Sequence, residues 1–112
     1  LGACAEHSGS PLLAADFYSR SIESAPGYAK PRTNLAFIRL REGRMDAAQS
    51  LLDGSLRLYD GDPETWLGLA LCSALAGDQQ ASTTSLSKAE ALGGVDEYGR
   101  KFRQMLDELT PR

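Results

Sequence analysis

His7 is the only histidine in the chain, and histidine is the side chain best suited to proton transfer near neutral pH. No nucleophile and acid stand beside it in a spacing that would build a triad, so His7 reads as a lone surface residue. Cys4 and Cys72 have no partners at zinc-finger spacing. Asp60-Gly61-Asp62 lacks the alternating acidic ladder of a calcium loop, and there is no glycine-rich phosphate loop. The hydroxyl run from Ser82 to Ser87 offers phosphorylation chemistry but reads as a solvated helix face. Leu1-Gly2-Ala3-Cys4 mimics a bacterial lipoprotein cleavage box, although no apolar run precedes it. The expectation is therefore a chain with no catalytic residues, no metal site and no cofactor.

The residues around these groups repeat. Leu1, Leu35 and Leu69 stand 34 residues apart, as do Gly9, Gly43 and Gly77. Ala14, Ala48 and Ser82 share a third register, and Tyr18, Leu52 and Leu86 a fourth. A fixed period of this length marks a stacked array of helix pairs. Cys4 and Cys72 then occupy equivalent positions two periods apart, on the order of 20 Å from each other if helices stack about 10 Å apart. A disulfide needs Cα atoms within about 7 Å, so both cysteines read as small buried residues.

Apolar spacing predicts the helices. Leu12 to Ser24 carries Leu13, Ala14, Phe17, Tyr18 and Ile22 as one buried stripe. A second helix begins near Pro31 and presents Leu35, Ala36 and Ile38 to the core. Gly43 turns the chain into a third, Met45 to Tyr59, with Ala48, Leu51, Leu52, Ser55 and Leu56 inward. Asp62 caps a fourth with Pro63 at its first position, and Gly77-Asp78 leads into a fifth, Gln79 to Leu92. Asp96 to Leu109 departs from the repeat. Its stripe of Tyr98, Phe102, Met105 and Leu109, with charges on the other faces, suits a terminal helix that closes the hydrophobic end of an array.

The 112 residues allow one domain, and 42% hydrophobic with 24% charged residues is an ordinary globular balance. No apolar run approaches the roughly 20 residues of a membrane span. A net charge of −3 argues against a general nucleic-acid binder. The chain has no initiating Met and no complete signal peptide, and reads as a processed chain or fragment. The excess of Arg over Lys suggests a GC-rich, bacterial gene. The compartment stays open: a cytoplasmic chain is favoured, with a periplasmic or lipid-anchored parent as the alternative.

With these residues in place, the chain resembles the tetratricopeptide repeat (TPR) family. Trp66, the pairs Leu1-Gly2, Leu35-Ala36 and Leu69-Ala70, then Ala14, Ala48 and Ser82, the aromatic Tyr18, the small residues Ser21, Ser55 and Ala89, and Pro26 match its preferred positions. Arg32 and Arg39 stand where aromatics are usual. The resemblance implies an all-α, right-handed αα-superhelix of helix–turn–helix repeats: a partial repeat over 1–28, repeats over 29–62 and 63–95, and a capping helix over 96–112.

It also implies function. First helices of such repeats line a concave groove that binds a peptide or an amphipathic helix of a partner protein. The groove positions fall on Ala3, Glu6 and His7, then on Lys30, Thr33, Asn34, Phe37, Leu40 and Arg41, and on Glu64, Leu67, Leu71, Ala74 and Leu75. The partner-binding expectation centres on Lys30, Thr33, Asn34, Phe37, Leu40, Arg41, Glu64, Leu67 and Leu71. Leu40 and Leu75 read equally well as packing between repeats. Asn34 matches one position of the carboxylate clamp of chaperone-tail binders, but Glu64, Gly68 and Ala3 replace its Lys, Arg and Asn, so that clamp is not expected. The cations Lys30, Arg32, Arg39, Arg41 and Arg44 make the second repeat locally basic, which reads either as a solvated face or as steering of an acidic partner. The main expectation is a protein-interaction scaffold. One alternative is a TPR assembly factor, lipoprotein or chaperone of a bacterial pilus or secretion system; another is a regulatory segment fused to an enzyme. Homo-oligomerisation through the N-terminal end is a further expectation.

Overall fold

The computed structural model describes residues 11–110. They form six helices: α1 (Pro11–Ser24), α2 (Lys30–Arg41), α3 (Met45–Leu58), α4 (Pro63–Leu75), α5 (Gln79–Gly93) and α6 (Val95–Leu109). The described residues are all α, and successive helices pack on one another within two compact units, Leu1–Leu58 and Tyr59–Arg112. The helix end expected over Leu1–Ser8, with Ala3, Cys4, Glu6 and His7, lies outside the described residues.

In the first unit, α1 packs on α2 and α2 on α3. Ala14, Ala15 and Tyr18 of α1 cluster with Leu35 and Ile38 of α2, and Ile22 and Leu51 pack against them. The expected α1 stripe is corrected in part. Leu13 is 63% exposed and Phe17 40%, and Ala15 is buried instead. The side of α1 that faces α2 carries Ala14, Ala15 and Tyr18, and Leu13 and Phe17 lie off that side. In α3, Ala48, Leu52 and Ser55 are buried as expected, while Leu51 and Leu56 are half-buried.

In the second unit, α4 packs on α5, α5 on α6, and α4 also on α6. Every residue from Leu67 to Cys72 is buried, as for a helix with no solvent face. The α4–α5 crossing is tight enough for the Ser82 hydroxyl to donate to the Ala70 carbonyl at 2.9 Å. At the equivalent positions of the first unit stand Ala36 and Ala48, both at 0% exposure.

The two helix hairpins α2–α3 and α4–α5 share one turn. Gly43 has φ +78° and Gly77 φ +85°, left-handed values that favour glycine because a Cβ would crowd the following carbonyl. After Gly43, the Arg44 amide donates to the Arg39 carbonyl at 2.9 Å; after Gly77, the Asp78 amide donates to Ser73 at 2.9 Å. These long-reach bonds satisfy carbonyls that a helix end would leave open. The starts differ. Asp62 accepts from the Glu64 amide at 2.9 Å and so caps α4 as expected, and Asp78 caps α5 through Ala81 at 3.1 Å. Ahead of α2 stands Ala29, which makes no side-chain cap. Its carbonyl instead accepts from Ser55 Oγ of α3 at 2.9 Å, and Ser55 Oγ accepts from Thr33 Oγ1 at 2.9 Å.

Equal turns make an equal prediction. Gly43→Ala and Gly77→Ala each lower the unfolding free energy by about 1 kcal/mol, measured from urea midpoints, with neither site much more sensitive than the other. A midpoint unchanged by either substitution contradicts the shared turn.

Candidate functional site

Lys30, Asn34, Phe37 and Arg41 are spaced by four, three and four residues, which puts them on one face of α2. Lys30 and Arg41 are exposed, and Asn34 and Phe37 half-buried. The face is thus a cation, an amide, an aromatic ring and a cation in line. The other two α2 residues of the expected site point inward: Thr33 is fully buried in its bond to Ser55, and Leu40 is 3% exposed.

Arg32 and Arg39 of the same helix bind groups close by. Arg32 donates to the Pro26 carbonyl at 3.2 Å, in the register where Trp66 Nε1 donates to the Asp60 carbonyl at 2.8 Å. The arginine therefore repeats the tryptophan's link to the preceding loop. Arg39 pairs with Glu42 at 2.8 Å, and Arg44 approaches the same carboxylate at 3.7 Å.

On α4, Leu67 and Leu71 are fully buried, and Ala74 and Leu75 half-buried. Glu64 accepts from the Tyr98 hydroxyl at 2.9 Å and from Lys101 Nζ at 3.0 Å. Both donors come from α6, and Lys101 also lies 4.7 Å from the Tyr98 ring centre and 3.6 Å from Glu97. The carboxylate expected to rim a groove thus ties α6 to the first turn of α4. Sequence reading missed this role of Tyr98 and Lys101; the available signal was that Tyr98 sits one period beyond Glu64. Gly93 makes the contact possible, because a Cβ there would run into the Tyr98 ring.

Other features carry less. A cavity of about 190 Å³ lies among α4, α5 and α6, lined by Ser82, Leu86, Glu90, Phe102 and Leu106 among others; small-molecule sites run from about 300 Å³ upward. Among the described residues, no group of three or more His, Cys, Asp or Glu is placed to hold a metal ion. No helix among them is long and apolar enough to cross a membrane.

Among the described residues, six helices that pack in sequence make an all-α domain. No protein-family model matches the chain, and no curated protein matches it.

The Tyr98–Glu64–Lys101 group makes a pH prediction. Burial, then the hydrogen bond to Glu64, then its charge push the Tyr98 hydroxyl up to about 12 from an ordinary 10. The hydrogen bond to Glu64 raises Lys101 as well, against the opposing effect of burial. Between those values the folded chain holds protons that the unfolded chain has lost, so stability falls as pH rises from about 10 to about 12. Tyr98→Phe removes the titrating hydroxyl, and its urea midpoint should decline less steeply over that window than the wild type's. Parallel declines would show that this hydroxyl is not linked to folding.

Proposed function

We propose that the chain is a tetratricopeptide-type helical repeat that binds a segment of another polypeptide and performs no catalysis itself. The observation that carries this reading is the exposed α2 face, in which Phe37 stands between Asn34 and Arg41 with Lys30 at the far end. An aromatic half-open to solvent with polar and charged neighbours is the usual make-up of a binding anchor and its rim. The equal turns at Gly43 and Gly77 and the matching loop bonds of Arg32 and Trp66 support the repeat. The binding surface of this reading is narrower than the nine residues expected from sequence. It consists of Lys30, Asn34, Phe37 and Arg41, with Thr33, Leu40, Leu67 and Leu71 serving the core and Glu64 engaged by α6.

A photo-crosslinking residue at Phe37, compared with the same residue at exposed Gln49 on α3, tests the assignment. Position 37 should yield a discrete polypeptide adduct that position 49 does not, and Phe37→Ala should weaken the identified complex about tenfold with the helical signal unchanged. Identical adducts from both positions would overturn the assignment of the α2 face.

A further inference from the structure

We infer that the cavity among α4, α5 and α6 is a binding site for a small primary amine, an ammonium group carried on one ring or a short hydrocarbon. The inference concerns the second unit alone and is independent of the α2 face. The cavity measures about 190 Å³, below the size of a site for a drug-sized molecule. Apolar cavities of about 150 Å³ hold one benzene ring. The occupant therefore has the size of a single ring with a short substituent.

The lining selects the chemistry. Leu86 of α5 and Phe102 and Leu106 of α6 supply apolar walls, and Glu90 is the one charged residue that lines the space. These four are half-buried, Ser82 is buried, and Gln79, Thr83 and Ser87 are exposed, so the cavity opens to solvent along α5. Ser82 donates its hydroxyl proton to the Ala70 carbonyl at 2.9 Å, and Thr83 donates its own to the Gln79 carbonyl at 2.9 Å. A hydroxyl has one proton to give. What both residues still offer the cavity is lone pairs, and a carboxylate likewise only accepts. The side chains of Ser87 and Gln79 can turn to accept as well. A set dominated by acceptors repels a carboxylate or a phosphate. It suits an ammonium, which has three donors, no acceptor and a positive charge.

Glu90 is not engaged within the fold. Among the described residues, its carboxylate forms no hydrogen bond or ion pair. Gly99 of α6 leaves it room, because a Cβ there would stand 3.4 Å from Oε2. Arg103 Nη1 lies 3.9 Å from the same point, yet it makes no ion pair with Glu90 and Arg103 does not line the cavity. A half-buried carboxylate beside an aromatic ring and two leucines is held where water competes less than at an open surface, so a charged donor gains more from it. The hydrocarbon of the same molecule covers Leu86, Phe102 and Leu106.

The test is an amide NMR titration of the full chain with benzylamine. Benzyl alcohol and benzoate are its uncharged and anionic counterparts, and Nα-acetyl-lysine methylamide stands for a partner's side chain. Benzylamine should saturably shift the amides of Ser87, Glu90, Phe102 and Leu106, with a dissociation constant on the order of 1 mM. It should bind about tenfold more tightly than benzyl alcohol, and benzoate should shift none of them. Glu90→Gln, checked for its helical signal, should weaken benzylamine about tenfold. Thr83→Val keeps the shape of an exposed side chain and loses an acceptor, and should weaken it about threefold. Equal affinities for benzylamine and benzyl alcohol, or for benzylamine on the wild type and on Glu90→Gln, would overturn the ammonium. No saturable shift at these residues would overturn the site. Tighter binding of the lysine derivative at the same residues would overturn the free amine and give the cavity to a partner's lysine.

Discussion

The close crossing of two helices at a pair of small residues is the constraint on which the described structure depends. At Ala70 and Ser82 the helices are near enough for a side-chain hydroxyl of one to reach a backbone carbonyl of the other. Ala36 and Ala48 hold the corresponding places in the first unit, with no exposed surface. A larger side chain at either crossing forces the helices apart, and interiors packed at crystal-like density do not absorb such an insertion cheaply. The left-handed glycines at 43 and 77 follow from the same requirement. Two helices that cross this closely need a connection of only a few residues, and the backbone must reverse within it.

Where the hairpins differ, the second invests in apolar burial and the first in polar links. α4 is buried without interruption from Leu67 to Cys72, and Trp66 joins its loop to α5 through Lys88, 4.7 Å from the ring centre. α2 has Arg32 in the tryptophan's register. It keeps the bond to the preceding carbonyl, but its Nε has no hydrogen-bond partner. Ahead of α2, the relay from Thr33 through Ser55 to Ala29 stands where α4 has an aspartate cap. Hydrogen bonds add only about 1 kcal/mol each in net terms but are costly to leave unmade. That fixes α2 in position while leaving its opposite face polar enough to be presented to solvent.

The helices and turns were legible because their signals are local. Gly43, Gly77, Asp62 and Pro63 each announce a helix end by backbone chemistry that needs no tertiary context, and the observed helices begin and end within a residue or two of the spans read from sequence. Burial was less legible because it depends on neighbours. Leu13 and Phe17 share a helical stripe with Ala14 and Tyr18, yet only the latter two turn inward. The α2 face was legible as a set of residues at helical spacing, and the burial of Thr33 and Leu40 among them was not. Glu64 shows the remaining limit. Its partners, Tyr98 and Lys101, come from a helix more than 30 residues away, and the sign of that pairing lies in the repeat period that separates Tyr98 from Glu64, not in any local pattern.

The repeat itself is tested most directly by adding one. Inserting a second copy of Ala29–Asp62 directly after Asp62 places every residue of the copy in register with its template. For a true repeat, the chain should gain the helical signal of the twelve residues of α2 and fourteen of α3. It should also unfold in one transition at a higher denaturant midpoint, because each added unit brings a new packed neighbour. A shuffled insert of the same composition serves as the control. An in-register copy that adds no helical signal, or that melts separately at lower denaturant as the shuffled insert does, would contradict the repeat.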